Sequence, residues 1–270
     1  MLKRRVVSSL ILFLILWLVI FILPVWSCML TVVVLIGLGL NEFFNMARKK
    51  GIPIYKYFGI VIGCLIPITT YLRLRLTTEI EFIVITAVCL AVFLLQFTRR
   101  KTDQALIGIA TTVFGIFYIS WFFSFMVKLR MVPPAGLDGR FLILYLLIVT
   151  KSGDIAAYFI GTAFGKHQLI PRISPKKSVE GAIAGVITSF ITAIIFRSFI
   201  PSIELIHIFI LGIFLSVLSQ IGDLSESLIK RDCHVQDSGL FFPGLGGVLD
   251  SLDSLLFATP IFYFYLKLIS

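Results

Sequence analysis

Residues 204–231 read ELIHIFILGIFLSVLSQIGDLSESLIKR. The part from 204 to 222 is almost wholly apolar and close to the roughly 20 residues that cross a bilayer. The character then changes with no proline in between. Asp223, Glu226, Ser227, Lys230 and Arg231 follow at i, i+3, i+4, i+7 and i+8, which is one stripe of a helix. The stretch predicts a span that continues as a helix into polar surroundings. A solvated face with i, i+4 ion pairs would give the same stripe, and so would the wall of a polar cavity.

Working outward, similar runs lie at about 8–24, 27–46, 57–72, 81–97, 105–127, 141–163, 180–200 and 254–269. With 204–222 they make about nine candidate spans. The third is short and holds Pro67. Hydrophobic residues make up 59% of the 270, charged residues 14%, and the mean hydropathy is +1.04. A soluble domain carries roughly 25% charged and 45–50% apolar residues, so a chain this apolar cannot hide its side chains in one core. The expected fold is an all-α polytopic transmembrane protein whose C-terminal half forms a polar cavity open to the cytoplasmic side. No soluble domain, internal repeat or low-complexity segment is visible.

Lys3-Arg4-Arg5 before an apolar run to Pro24 has the look of a secretory leader. The run is too long for one and no small-residue cleavage site follows, so a retained first span is expected. Cys28, Cys64, Cys89 and Cys233 form no C-x-x-C pair, which argues against a disulfide framework or a zinc site. The net charge is +10. Lys and Arg collect in loops on the cytoplasmic side of a bilayer and also attract anionic lipid or phosphate. A cytoplasmic N-terminus puts sixteen Lys and Arg inside and seven outside. That bias predicts a cytoplasmic N-terminus and an external C-terminus. No basic run has interleaved aromatics on a soluble stretch, so no nucleic-acid partner is expected.

Most of the fourteen acids lie after residue 150. Residues 1–140 therefore read as a membrane-spanning scaffold, and 141–270 as the catalytic membrane domain. Within the second, Lys151 and Asp154 sit in the middle of an apolar run at i, i+3. Intramembrane ionisable groups are costly. They are read here as a structural ion pair or as the wall of a wet cavity. Pro171-Arg-Ile-Ser-Pro-Lys-Lys-Ser-Val-Glu-Gly181 cannot be helical through its two prolines. Its Ser174, Lys176, Lys177 and Ser178 precede a span beginning near Glu180. A basic loop feeding a helix N-terminus suits phosphate, though it is also an ordinary positive-inside loop. Last comes Asp237-Ser-Gly-Leu-Phe-Phe-Pro-Gly-Leu-Gly-Gly-Val-Leu-Asp-Ser-Leu-Asp253. Its glycines allow close backbone approach, and Asp250 and Asp253 share a helix face. Two carboxylates beside such a turn suit Mg²⁺, which fills its other positions with water and substrate phosphates. Acids for metal, cations for phosphate and flexible backbone are what phosphoryl-type transfer uses.

These residues resemble the signature of the phosphatidate cytidylyltransferases, or CDP-diacylglycerol synthases. That signature reads S-x-x-K-R, four residues, K-D-x-small, then P-x-H-G-G-x-x-D-R-x-D. Ser227, Lys230, Arg231, Asp237, Gly239, Pro243, Gly246, Gly247, Asp250 and Asp253 match at the right spacing. Asp154 with Ala157-Tyr158-Phe159, Gly161, Phe164-Gly165 and the 174–181 loop resemble upstream motifs of the family. The resemblance covers about residues 145–258. Gln236, Leu245 and Ser251 stand where the signature has Lys, His and Arg, so each loses a cation or a polar group.

The resemblance implies that the phosphate of phosphatidic acid attacks the α-phosphorus of CTP, giving CDP-diacylglycerol and pyrophosphate. It implies catalytic roles for Asp223, Lys230, Asp250 and Asp253. Asp223, Asp250 and Asp253 would hold Mg²⁺, with a monovalent cation as a candidate second ion. Asp154, Ser174, Lys176, Lys177, Ser178, Ser227, Arg231, Asp237, Gly246 and Gly247 would bind substrate. The partners are CTP, phosphatidic acid and the bilayer, with a homodimer as an open alternative. The expected place is a bacterial-type cell membrane, with the active site facing the cytoplasm. Competing readings are a related prenyl-lipid cytidylyltransferase or kinase, an inactive homologue, and a transporter with Lys151 and Asp154 on its pathway.

Overall fold

A computed structural model of the chain describes residues 14–72, 79–99, 103–131, 133–241 and 246–269. The start of the first expected span lies outside these residues. So do Lys3, Arg4, Arg5, Arg73, Arg75, Arg100 and Lys101 of the charge bias, and Pro243 and Leu245 of the signature.

The chain is a helical multi-pass membrane protein. In order, the helices are α1 (Val25–Lys49), α2 (Lys56–Leu72), α3 (Glu79–Phe97), α4 (Ala105–Met131), α5 (Gly139–Phe164), α6 (Val179–Ile195), α7 (Leu205–Asp232) and α8 (Val248–Ile269). A π-helical turn, Leu18–Ile22, precedes α1. Each candidate span from the second to the ninth coincides with one of these helices. Six helices have the length and apolarity of a membrane crossing: α1, α4, α5, α6 with its 3-10 extension to Phe199, α7 and α8. The apolar helices Lys56–Leu72 and Thr86–Phe97 are shorter. Pro67 lies inside α2 without ending it. At 1.5 Å per residue, α7 is about 42 Å long, against a hydrocarbon core of about 30 Å. Its apolar part is used up near Gly222, and the charged stripe emerges beyond.

The chain forms two compact units. One comprises Met1–Val127 with Cys233–Leu249, the other Lys128–Asp232 with Asp250–Ser270. In the first, α1 packs on α2, and α2 on the π-helical stretch Ile116–Trp121 inside α4. Phe43 and Phe44 stand edge to face, and Phe114 stacks on Tyr118. Arg99 donates to the carbonyls of Pro53 and Ile54 at 2.7 and 2.9 Å and covers the Tyr55 ring.

In the second unit, α6 packs on both α5 and α7. The division of faces on α6 is legible in its residues. Ile183, Ile187, Ile191 and Ile195 recur every fourth position and are exposed, whereas Gly181, Gly185, Ser189, Thr192 and Ala193 are buried. Branched side chains thus face the lipid, and small residues let helix backbones approach, as is usual in membrane bundles. Ser189 Oγ–H donates to the Val149 carbonyl of α5 at 2.8 Å. On α8, Phe262 stacks on Tyr145 of α5, and Tyr265 OH hydrogen-bonds His207 of α7 at 2.8 Å. Asp138 caps α5 by accepting the Arg140 N–H at 2.9 Å. The Arg140 guanidinium bonded to Asp138 holds its carboxyl below the usual carboxylate range.

Between α5 and α6 the chain is paired in extended form rather than an irregular loop. Strands β1 (Gln168–Ile170) and β2 (Ser174–Ser178) pair antiparallel as a short hairpin, with a register irregularity between Gln168 and Ile170. Pro171 and Pro175 bar helix here, and the extended backbone finds its partners by pairing.

Candidate functional site

The second unit gathers most of the singled-out residues on α5, β2, α7 and the part of α8 from Asp250 onward. The Lys151 ammonium, half-buried on α5, lies 3.5 Å from Asp154 Oδ2, 3.4 Å from the Ser251 carbonyl and 2.7 Å from Ser254 Oγ. Asp154 Oδ1 accepts from Ser219 Oγ–H of α7 at 2.7 Å. The i, i+3 pair read from sequence therefore forms, and it also bridges to two further helices.

Close backbone contact sets the next pair. A Cβ on Gly222 would collide with the backbone carbonyl of Asp253, so α7 and α8 meet backbone to backbone there. This brings Asp223 near Asp253. The buried Asp253 has Asp223 and Asp154 as like-charged neighbours and Lys151 as an opposite one. The Asp253 carboxylate accepts the Ser254 N–H at 2.6 Å. Asp223 is ion-paired with Lys177 of the hairpin at 2.5 Å, and Arg231 donates to the Ile173 carbonyl at 3.3 Å.

Two turns beyond Asp223 on α7, Lys230 Nζ lies 2.5 Å from Glu226 Oε2 and 2.6 Å from Asp250 Oδ1. The Glu226 side chain is fully buried, and no hydrogen bond from the described residues reaches its Oε1. Asp250 and Asp253 are its other charged neighbours. The cluster thus holds five carboxylates, those of Asp154, Asp223, Glu226, Asp250 and Asp253. Against them stand three ammonium groups, those of Lys151, Lys177 and Lys230.

Other expected residues are placed differently. Ser178 is the N-cap of α6 and accepts the Gly181 N–H at 3.1 Å. Glu180 in the same first turn accepts from the Lys166 N–H at 3.1 Å and meets His167 Nδ1 at 2.7 Å. Loss of such a cap costs about 1 kcal/mol. Ser178→Ala is therefore expected to lower the thermal midpoint in detergent by an amount of that order. A large loss of activity beyond that shift would give Ser178 a ligand besides its cap. Ser174 opens β2 half-buried, Lys176 is exposed, and Ser227 is buried on α7. Asp237, exposed, and Gly246 and Gly247 belong to the first unit.

Sequence reading placed Glu226 in the stripe without choosing it, and passed over Ser219, Ser254 and Glu42. For the two glutamates the available signal was an ionisable residue within or at the edge of an apolar helix. Among the described residues, no three His, Cys, Asp or Glu side chains converge as a ready-made metal cage.

The sequence profile of the Cytidylyltransferase family matches residues 3–269. This chain belongs to that family. It is 30% identical over 269 residues to a phosphatidate cytidylyltransferase of Synechocystis, covering 90% of this chain and 89% of that protein. It is 42% identical over 155 residues to a phosphatidate cytidylyltransferase of Bacillus subtilis, covering 57% of this chain and 56% of that one. It is also 35% identical over 161 residues to the uncharacterized protein YnbB of Escherichia coli K12, covering 59% and 52%. This cytidylyltransferase-family chain thus spans about half the length of the last two relatives, at 56% and 52%.

Proposed function

We propose that this chain transfers the cytidylyl group of CTP to phosphatidic acid, releasing pyrophosphate and leaving CDP-diacylglycerol in the membrane. The observation that carries the reading is the charged cluster on α5, α7 and α8. It is built on helices long enough to cross a bilayer, where a lipid phosphate and a nucleotide can meet. Relatives named phosphatidate cytidylyltransferase support the choice of substrates.

In this reading a phosphate oxygen of phosphatidic acid attacks the α-phosphorus of CTP in line. The bond from that phosphorus to the bridging oxygen breaks, and the electron pair leaves with pyrophosphate. Lys230 and Arg231, with Lys176 and Lys177, neutralise phosphate charge. Lys151 meets the carbonyl of Ser251, the position where the signature has Arg, and in this reading would supply a cation near it. Ser174, Ser178 and Ser227 offer hydroxyls, and Asp154 braces Lys151. Asp237, Gly246 and Gly247 frame the turn leading into α8. Residues 1–140 serve as scaffold and 141–270 as the catalytic half. Nine spans, a cytoplasmic site and a homodimer complete the proposal, the second supported by the charge bias of the loops.

The donor set fits Mg²⁺. The ion takes one or two carboxylates and otherwise water and phosphate, so it needs no three-acid cage. Among the described residues the Glu226 Oε1, buried beside Asp250 and Asp253, has no donor, which leaves an acceptor in this cluster for a cation. Asp223, Asp250 and Asp253 would hold the ion, which would supply charge neutralisation on the phosphates. A monovalent second ion is part of the same proposal.

The test is purified protein with phosphatidic acid and CTP labelled at the α-phosphate, with Mg²⁺ or with EDTA. Label is expected in a chloroform-soluble product only when the metal is present. No transfer from well-folded protein would overturn the reading.

A further inference from the structure

Glu42 lies on α1, in the half of the chain read as scaffold, and is buried. Its carboxylate takes three hydrogen bonds. Ser238 Oγ–H donates to Oε2 at 3.0 Å, the Val248 N–H to Oε1 at 3.0 Å and the Leu249 N–H to Oε2 at 2.9 Å. A helix leaves its first N–H groups without intrahelical acceptors. The residue just ahead of α8 is Gly247, which has no side chain to supply one. The acceptor comes instead from a residue 206 positions before Val248.

The glycines of this turn leave room for that carboxylate. A Cβ on Gly247 would meet Glu42 Oε2 at 2.5 Å and Gly239 N at 2.7 Å, and a Cβ on Gly239 would strike Glu42 Oε1. Gly246 has φ +96°, which a side chain would disfavour. Ser238, Val248 and Leu249 all donate to Glu42. The position therefore calls for a group with two acceptor oxygens and no donor. A carboxylate meets this, whereas an amide would turn its NH₂ onto another donor. Negative charge also suits the positive end of the α8 dipole.

We infer that Glu42 is a positioning residue. It fixes the segment from Asp237 to Leu249, and with it the first turn of the helix whose next residue is Asp250. It touches no substrate and acts through that turn. The catalytic consequence rests on the cytidylyl-transfer reading; the conformational one does not.

The experiment compares full-length wild type, Glu42→Gln and Glu42→Asp in detergent by hydrogen exchange over residues 237–250, thermal midpoint, and steady-state transfer of labelled CMP. In Glu42→Gln, exchange at Val248 and Leu249 is expected to speed up, and kcat to fall roughly tenfold to a hundredfold. The KM for phosphatidic acid should stay within about threefold of wild type. Glu42→Asp keeps the acceptor-only character and should recover part of kcat. A merely stabilising acid would lower active protein in step with thermal midpoint, with no advantage of Asp over Gln and no selective exchange. Unchanged exchange at Val248 and Leu249, or a kcat within about threefold of wild type, overturns the inference. If wild type transfers no CMP, the functional reading falls and the exchange result alone decides the role of Glu42. If Glu42→Gln does not fold, Ser238→Ala, which removes one donor, is read the same way. Faster exchange over 237–250 supports the inference and unchanged exchange overturns it.

Discussion

Asp253→Asn is expected to lower the rate of cytidylyl transfer on the order of 100- to 1,000-fold while leaving the protein as stable as wild type or more so. The two halves of this expectation have one origin. Asp253 is buried on α8 with the like charges of Asp223 and Asp154 beside it and Lys151 in opposition. Removing its charge relieves repulsion in the resting protein. In the proposed reaction the same charge holds Mg²⁺, and an amide is a poor replacement. Thermal midpoint in detergent and transfer of labelled CMP, measured on one preparation, should therefore move in opposite directions or separate entirely. An Asn variant with near-normal turnover would remove Asp253 from the metal set. Loss of both activity and folding would recast it as structural.

Lys230→Ala should do the reverse and cost stability heavily. Lys230 joins Glu226 and Asp250, and the exposures of the three side chains are 12%, 0% and 11%. Breaking a buried pair by removing one partner costs about 3–5 kcal/mol, because the remaining charge is stranded. Glu226 is that charge. The double variant Lys230→Met with Glu226→Gln should win back part of the thermal midpoint, since it removes the fully buried Glu226 charge and leaves the Asp250 carboxylate, 11% exposed, without Lys230. It should not win back turnover, because the cation proposed to meet phosphate is still absent. Recovery of turnover in the double variant would show that Lys230 serves the fold alone.

Local patterns were legible in the sequence, and distant pairings were not. The stripe on α7 could be read because helical periodicity fixes which residues share a face. Lys151 and Asp154 could be paired for the same reason. The start of α6 was placed within a residue, since two prolines bar helix up to 175 and the apolar run begins near Glu180. The hairpin was missed because strands of three and five residues carry no periodic signal, and prolines say only what the segment is not. That Lys177 meets Asp223, and Lys151 the Ser251 carbonyl, follows from helix packing, which no spacing encodes. Glu42 is the extreme case. Its partners lie about two hundred residues away in the chain, and the glycines around it were read as room for a ligand.

The ion pair between Lys177 and Asp223 gives the resting protein a further property. In the proposed reaction the two ends of that pair go to different ligands, the lysine to phosphate and the aspartate to metal. An anion arriving alone must draw Lys177 from its carboxylate, and a cation arriving alone must draw Asp223 from its ammonium. Each then strands the other member. Arriving together as a metal–nucleotide complex, they divide the pair cleanly, one charge to each. The closed pair thus works as a latch with two keys, and binding is an exchange of partners in which neither ligand gains much without the other.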